Sequence, residues 1–279
     1  MKKNMLNIFI SIFLCSFSLS TFASLLISPT RLVLDERSRS ANVILMNTSN
    51  EIQSYRLDWK ELKALPEGGY RELSQQELLS FPILSRIARL SPKQVTLKPG
   101  ESQTVKVSAR KPRNLNDGEY RSHLQFTALP KVEVNASSPS TTSIKLNVLL
   151  SYSIPVIFRL GQFQYGNKIN NISLKHDKKN NKATINIELQ KQGKYSLSGN
   201  LFAYWKPLNS SKETRVGILN GFNFHHELDN IVAKVAWENF TLAAGTLRVV
   251  YQGTQEFSGT KLSDYSLTIT PAMVKSALN

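Results

Sequence analysis

Residues 143–154, SIKLNVLLSYSI, alternate between apolar and polar side chains with one exception, Leu149. The apolar positions are all even: Ile144, Leu146, Val148, Leu150, Tyr152 and Ile154. A period of two places alternate side chains on opposite faces of an extended chain, so this run predicts a long β-strand with one wholly apolar face. Two uses of that face stay open: it lines the core of a β-sandwich, or it lies at a sheet edge where another chain can pair with it.

Short runs of strand-forming residues, separated by turn residues, fill the chain from residue 24 onward. In the first half they include LLISPTRLVL, ANVILMN, IQSYRLDW, RIARLSPKQVTL, SQTVKVSAR and EYRSHLQFTAL, with turns such as PEGG, KPGE and NLNDGE between them. With the alternating run, this predicts a seven-stranded immunoglobulin-like β-sandwich. LSQQELLSF is the one helix-like segment, and we expect it in a loop.

The second half repeats this pattern in runs such as KATINIELQ, IVAKVAW and GTLRVVYQG. We therefore expect a second, smaller sandwich. The chain is predicted to be all-β, with two immunoglobulin-like domains at residues 24–157 and 158–279. No low-complexity linker separates them, so a strand that leaves the first domain near SIPVIFRLG should join the two.

Residues 1–23 have the features of a secretory signal peptide. Lys2 and Lys3 precede an apolar run, and small residues occupy the two positions that a signal peptidase reads before the end of TFA, so we expect cleavage after Ala23 and a periplasmic protein. A lipoprotein signal is the rival interpretation because of Cys15, but Leu14 is too bulky for the position before a lipidated cysteine. Cys15 is the only cysteine, so the mature chain cannot form disulfides and depends on its two cores for stability.

The chain is basic, with 35 Lys and Arg residues against 20 Asp and Glu residues and a formal net charge of +15. Nucleic acid is the usual partner of such a chain, but export argues against it, as does the scattered placement of lysines in stretches such as KHDKKNNK. We expect a solvated basic surface and no nucleic-acid partner. Attraction to acidic partners is the alternative.

No recognisable catalytic or metal-binding motif is found in the sequence. The four histidines, His123, His176, His225 and His226, are dispersed, and the adjacent pair would face opposite sides of a strand. Neither a GxSxG elbow nor a glycine-rich phosphate loop occurs. The chain is therefore predicted not to be an enzyme and to require neither a metal nor a cofactor.

The stretch DGEYRSHLQF, residues 117–126, carries charged residues inside a predicted strand. Alternation places Tyr120, Ser122, Leu124 and Phe126 on one face and Glu119, Arg121, His123 and Gln125 on the other. The first face suits a core. The second needs solvent, a catalytic role or a partner to explain it.

Four stretches together resemble the PapD-like periplasmic chaperones of the chaperone–usher pilus pathway. SPTRLVLDERSRSANVILMNTS is similar to the opening strands of the family, with Arg31 early in the first strand and Asn47 closing the second. LKPGESQTVKVSAR is similar to the P-G-x-x-Q-x-V segment of the family. DGEYRSHLQFTALP keeps an acidic residue, Glu119, that opens a strand ending in Pro130, and SIKLNVLLSYSIPVIF is similar to the donor strand that leads into the second domain.

This resemblance implies a binding function and two sandwiches in a boomerang arrangement. The family lends its own edge strand to pilus or fimbrial subunits, which lack a last strand, and delivers them to an outer-membrane usher. Main-chain bonds and alternate side chains make such a contact. Here the donor side chains would be Ile144, Leu146, Val148 and Leu150. Self-association of the unloaded protein stays open.

The resemblance also implies a cleft where two basic residues bind the C-terminal carboxylate of the subunit. One maps onto Arg31, but the other falls on Leu150 or Ser151. Ile154 stands where a divergent branch has an arginine, so the sequence does not establish an ion pair to Glu119 across the domains. We predict that Arg121 supplies the missing charge, beside Glu119 and His123, because a guanidinium suits a carboxylate. The alternative is a surface arginine paired with Glu119.

Two other functions remain as alternatives. An exported structural or adhesive immunoglobulin-like surface protein would pair or bury the strand at 143–154. A hydrolase on a β scaffold would need a convergent acid, base or nucleophile cluster, which the sequence does not reveal.

Overall fold

The computed structural model describes residues 24–130, 149–162, 164–177 and 179–278. The predicted signal peptide and the predicted donor residues Ile144, Leu146 and Val148 lie outside these ranges. None of the described helices is long and apolar enough to cross a membrane.

The described residues up to Leu160 form eleven strands and one short helix. They are β1 (Leu25–Ser28), β2 (Leu32–Asp35), β3 (Ser40–Asn47), β4 (Gln53–Lys60), β5 (Leu62–Ala64), β6 (Tyr70–Glu72), α1 (Gln75–Ser80), β7 (Ala88–Ser91), β8 (Gln94–Leu97), β9 (Ser102–Ala109), β10 (Gly118–Ala128) and β11 (Ser151–Leu160). A sheet in the order β1-β3-β9-β7 packs on a sheet in the order β2-β11-β10-β4-β8, and β5 and β6 form a separate hairpin.

Two Ser-Pro steps move the chain from one sheet of this sandwich to the other. Ser28-Pro29 separates β1 from β2, and Ser91-Pro92 separates β7 from β8. Each of the sequence runs LLISPTRLVL and RIARLSPKQVTL is therefore two strands in opposite sheets rather than one. Proline lacks the N–H that a continuous ladder requires, which is why both runs break there.

The helix-like segment LSQQELLSF contains α1, which lies between β6 and β7. Ser74 caps it by accepting a hydrogen bond from the backbone N–H of Glu77, and the Glu77 side chain accepts one from the backbone N–H of Ser74. This capping box explains a helix of only six residues in a chain of strands.

The described residues after Leu160 form the second sandwich. Its elements are β12 (Asn167–Asp177), β13 (Lys182–Lys191), β14 (Leu197–Pro207), β15 (Thr214–Phe224), β16 (Asn230–Trp237), β17 (Gly245–Gly253), a 3-10 turn (Gln255–Phe257), β18 (Lys261–Ile269) and the terminal helix α2 (Pro271–Leu278). The sheets run β12-β13-β16 and β15-β14-β17-β18. The prediction of an all-β chain with two immunoglobulin-like sandwiches is confirmed.

Alternation places the apolar side chains of each strand in one of two cores. In the first sandwich Val43 and Leu45 of β3 meet Leu124 and Phe126 of β10, and all four are fully buried. The second core contains one residue from the first half of the chain, Ala64 of β5, which is 3% exposed. The β5–β6 hairpin therefore reaches across the domain junction and packs into the second sandwich.

Candidate functional site

Strand β10 lies between β11 and β4, and its two faces meet different environments. Leu124 and Phe126 point into the first core, as predicted. On the opposite face Glu119, Arg121 and His123 are 2%, 1% and 3% exposed. Their contacts include residues of the second sandwich and of the β5–β6 hairpin, so the polar stripe that stands out in the sequence lies at the domain junction.

Arg121 forms a bidentate ion pair with Glu227, which follows β15. Its Nη1 donates to Glu227 Oε2 at 3.1 Å, and its Nη2 contacts Glu227 Oε1. Glu227 Oε1 also accepts the backbone N–H of Ala64 at 2.8 Å, which ties the hairpin to the same carboxylate. Burial alone would raise the pKa of Glu227, but the charge of Arg121 and the nearby histidines His226 and His225, together with the hydrogen bond from Arg121, outweigh it and lower that pKa to about 2.

Two of the histidines that are dispersed in the sequence, His123 and His225, lie close to Arg121. His225 Nδ1 lies 2.5 Å from Arg121 Nη1, and its Nε2 lies 2.8 Å from the Tyr70 hydroxyl. Arginine only donates, so Nδ1 must accept and the proton is on Nε2, which makes the Tyr70 oxygen an acceptor. His123 packs edge-on against the Tyr70 ring, with centroids 5.1 Å apart. No group of three or more His, Cys, Asp or Glu residues in the described ranges could hold a metal ion.

Burial and the nearby charge of Arg121 keep both of these histidines neutral. Burial, reinforced by Arg121, lowers the pKa of His225 to about 3. The same two causes lower the pKa of His123 to about 4. Within the described residues His123 Nδ1 has no hydrogen-bond partner. The imidazoles of His123 and His225 are therefore uncharged beside Arg121.

Glu119 joins the two sandwiches through a second network. Arg159 Nε of β11 donates to Glu119 Oε2 at 3.0 Å, and the backbone N–H of Ser196, just before β14, donates to the same oxygen at 3.0 Å. Burial alone would raise the pKa of Glu119; nearby His226 and Arg159 hold it well below its usual range. Glu119 thus has an arginine partner in Arg159, which lies directly opposite it on the neighbouring strand β11 of the same sheet.

Arg31 lies between β1 and β2 and contacts a different carboxylate from Arg121. Its Nη2 lies 3.1 Å from Glu256 Oε1, its Nη1 donates to Asn223 Oδ1 at 3.4 Å, and the same nitrogen contacts Ser198 Oγ. Arg159 Nη1 lies 2.9 Å from the same Glu256 oxygen. Burial lowers the pKa of Arg31, and Glu256 counteracts that shift.

The predicted pair of carboxylate anchors is thus divided between two acidic residues of the second sandwich. Arg31 is bound to Glu256 and Arg121 to Glu227. The role of Arg121 in binding a subunit stays a prediction. The guanidinium of Arg121 is fully buried against Glu227, so the carboxylate of a subunit could reach it only by displacing Glu227. The alternative of a surface arginine paired with Glu119 was wrong, since Arg121 is buried and pairs with Glu227.

The beginning of β11 lies at a sheet edge. Strand β2 pairs in parallel only with Val156–Arg159, whereas β10 pairs along the other side of β11 from Ser151 to Leu160. In the described part of the chain, the outer side of residues 151–155 therefore has no strand partner. Of the alternating run, Tyr152 and Ile154 pack in the first core, whereas Leu149 and Leu150 are 50% and 54% exposed.

Several residues of the junction are not recognised from the sequence. Arg159 lies between the apolar residues Phe158 and Leu160, and Glu227 and Glu256 lie in polar turns. Alternation along β11 offers a signal for Arg159, because it falls on the face opposite Phe158 and Leu160. The carboxylates carry no such signal, since Arg121 is 106 positions away from Glu227 and Arg31 is 225 positions away from Glu256 in the sequence.

No family model matches the chain, and no curated protein matches it. Solved structures do show similarity. The YadV chaperone has 15% identity and a TM-score of 0.48 over 88% of this chain and 100% of its own. The class 5 fimbriae chaperone CfaA has 16% identity and a TM-score of 0.43 over 88% and 99%.

The CsuC-CsuE chaperone–tip adhesion subunit pre-assembly complex, from archaic chaperone-usher pili of Acinetobacter baumannii, has 15% identity and a TM-score of 0.44 over 88% of this chain and 98% of its own. All three of these solved structures contain a chaperone, and the names of two of them refer to fimbriae or pili.

Proposed function

We propose that the chain is a periplasmic chaperone that binds pilus or fimbrial subunits by adding a strand to their incomplete fold. In this role it prevents their aggregation and delivers them to an outer-membrane usher. The observation that carries the proposal is the edge at the beginning of β11, next to the exposed Leu149 and Leu150. The role requires no catalytic step and no cofactor.

An open strand edge offers backbone N–H and C=O groups to a second chain. Residues 151–155 have this property, and Pro155 removes only one donor from the edge. The alternating residues that precede β11 would fill pockets on one face of the added strand. We assign this role to Ile144, Leu146, Val148 and Leu150, which share the even positions of the run.

Arg31 is proposed to bind the C-terminal carboxylate of the subunit. It lies just before β2, which pairs with β11, so a chain that adds to the β11 edge would run close to it. Glu119, Arg121 and His123 are proposed to hold the two sandwiches at a fixed angle around this cleft. Their burial and their bonds to Ser196, Glu227 and the hairpin support that role.

The experiment co-produces the chain with candidate subunits encoded beside its gene and captures complexes from the periplasm through a tag on the subunit. Leu150→Asp should reduce capture at least about tenfold, because a buried leucine contributes roughly 1.5–3 kcal/mol. Leu149→Asp is the matched control: Leu149 is equally exposed but belongs to the opposite face, and capture should persist.

Equal losses in the two variants would rule out pairing through one face. If the folded wild-type protein captures no subunit and is found at the cell surface, the result would support the alternative function, an exported structural or adhesive protein.

A further inference from the structure

Three arginines of the first sandwich surround one cavity beside β7 and β9. These two strands belong to the sheet that does not contain β11. The cavity has a volume of about 340 Å³, and its lining residues are Arg86, Ile87, Ala88, Arg89, Arg110 and Pro112. Among the described residues that line it, none is acidic. The charge of this lining is therefore entirely positive.

Strand pairing places Arg89 and Arg110 on the same face of the sheet. Ala88 pairs with Ala109, and the backbone N–H of Arg110 donates to the carbonyl oxygen of Ile87 at 2.8 Å. Both alanines are buried, so the alternation of the strands turns the side chains of Arg89 and Arg110 toward solvent. The two arginines are diagonal neighbours across the strand pair, and long side chains reach each other from such positions.

The side chain of Arg86 is held in place by helix α1. Its Nη2 donates to the carbonyl oxygen of Leu78 in the last turn of the helix. Carbonyl groups in this turn lack a partner within the helix, and an arginine side chain can satisfy them. One contact thus orients the guanidinium of Arg86, while a guanidinium has five N–H donors in total. The other donors of Arg86 remain available to a ligand.

The three arginines lack a carboxylate partner within the part of the chain that the structure describes. Glu36 comes close to this region, but it is paired with Lys111. Arg113 adds another exposed cation to the same loop. Neighbouring like charges destabilise a sheet, and a group of them produces a positive potential that attracts anions. An anion bound in the cavity would relieve this repulsion.

We infer that Arg86, Arg89 and Arg110 form a binding site for a phosphate group. A guanidinium presents its donors in a planar fork that fits two oxygens of an oxyanion. A carboxylate has only two oxygens, whereas a phosphate monoester has three terminal oxygens and a charge of about −1.5 to −2 near pH 7. Three guanidiniums therefore suit phosphate better than carboxylate. This site goes beyond the proposed function and lies in a different sheet from the edge of β11.

The test adds inorganic phosphate to isotope-labelled full-length mature protein at constant ionic strength and follows the NMR signals of the arginine Nε–H groups. Saturable shifts are expected for Arg86, Arg89 and Arg110, and acetate should bind at least about tenfold more weakly. Arg110→Ala should weaken phosphate binding at least about tenfold, because charge-assisted hydrogen bonds are lost. Arg37→Ala is the matched control, since Arg37 is exposed but does not line the cavity, and it should bind phosphate as the wild type does.

The inference is overturned if phosphate produces no saturable shifts, or if acetate binds as tightly as phosphate. Equal binding by Arg110→Ala and Arg37→Ala would also overturn it. Circular dichroism checks folding. Should Arg110→Ala fail to fold, Arg89→Ala takes its place, because Arg89 is an exposed residue of the same cavity and the same outcomes apply.

Soluble phosphate and a phospholipid headgroup both supply this chemistry, and a sedimentation assay distinguishes the two sources. Protein is mixed with phosphatidylcholine vesicles that contain or lack phosphatidic acid, whose headgroup is a phosphate monoester. Sedimentation that requires phosphatidic acid and is lost in Arg110→Ala would assign the site to a membrane surface. Protein that binds inorganic phosphate but stays in the supernatant would have a site for soluble phosphate. Sedimentation that persists in Arg110→Ala would reject the lipid headgroup as the ligand of this site.

Discussion

Arg121 and Glu227 form a buried ion pair between the two sandwiches, with side chains 0% and 5% exposed. Removing one member of such a pair leaves the other charge buried without a partner. Arg121→Ala should lower the free energy of unfolding by about 3–5 kcal/mol, as measured by urea denaturation. Arg248→Ala breaks the surface pair with Glu213 and should cost less than about 1 kcal/mol. Similar losses in the two variants would contradict the importance assigned to the buried pair.

Stability should decrease in mild acid because of the neutral histidines at the junction. The pKa of His123 falls to about 4 and that of His225 to about 3, both from an ordinary value of 6.5. A lowered pKa means that the unfolded chain binds protons first, so the stabilising effect is complete above pH 6.5 and is lost as the pH falls toward 4 and then 3. Below about pH 4.5, protonation of Glu119 and Glu227 adds to the loss, since their pKa values are also lowered.

His123→Phe tests the contribution of His123 to the loss of stability between about pH 6.5 and 4.5. The variant keeps an aromatic ring beside Tyr70 but cannot bind a proton. Its free energy of unfolding should fall less steeply than that of the wild type between about pH 6.5 and 4.5, by up to roughly 1.4 kcal/mol per pH unit. Parallel curves from denaturation at a series of pH values would show that His123 does not titrate on unfolding. His176→Phe, on the exposed part of β12, provides a control.

Gly161 should be necessary at the junction that follows β11. Its φ is +84°, and a Cβ at this position would lie 2.3 Å from the side chain of Asp117. Gly161→Ala should lower the melting temperature by several degrees, since the left-handed conformation alone costs roughly 1–2 kcal/mol. Gly68→Ala separates the cost of the backbone conformation from the cost of the clash. Gly68 also has a positive φ, +101°, but a Cβ at this position would have open space around it. A larger loss in Gly68→Ala would contradict this account.

Arg31→Ala should abolish capture of a subunit while the protein stays folded, if Arg31 binds the chain end. Arg37→Ala is the matched control, since Arg37 is an exposed arginine in the loop that follows β2 and has no assigned role. Circular dichroism confirms folding, and periplasmic pull-down measures capture. Capture that survives Arg31→Ala, or that is lost equally in Arg37→Ala, would remove Arg31 from the proposed site.

Much of the fold follows from local pattern. Alternating side chains predict the strands of both sandwiches, and the polar face of β10 indicates that something other than a single core meets Glu119 and Arg121. The sheet changes at Pro29 and Pro92 are not predicted, because the residues around each proline continue the strand pattern.

The partners at the junction could not be predicted, since they depend on tertiary contacts. Glu227 follows a strand of the second sandwich and is 106 positions away from Arg121 in the sequence. Its sequence neighbourhood, HHEL, resembles any polar turn. The contact of the β5–β6 hairpin with the turn between β15 and β16 brings His225, Tyr70 and Glu227 to the same arginine.

The position of Ala64 in the second core changes what counts as a folding unit in this chain. A fragment cut at the boundary that the strand pattern suggests would lack a side chain of its own interior and the backbone N–H that Glu227 binds. We expect the isolated second half to be less stable than the same region in the whole protein. We also expect the two halves to unfold together as one cooperative unit, because each contributes groups to the other's interior.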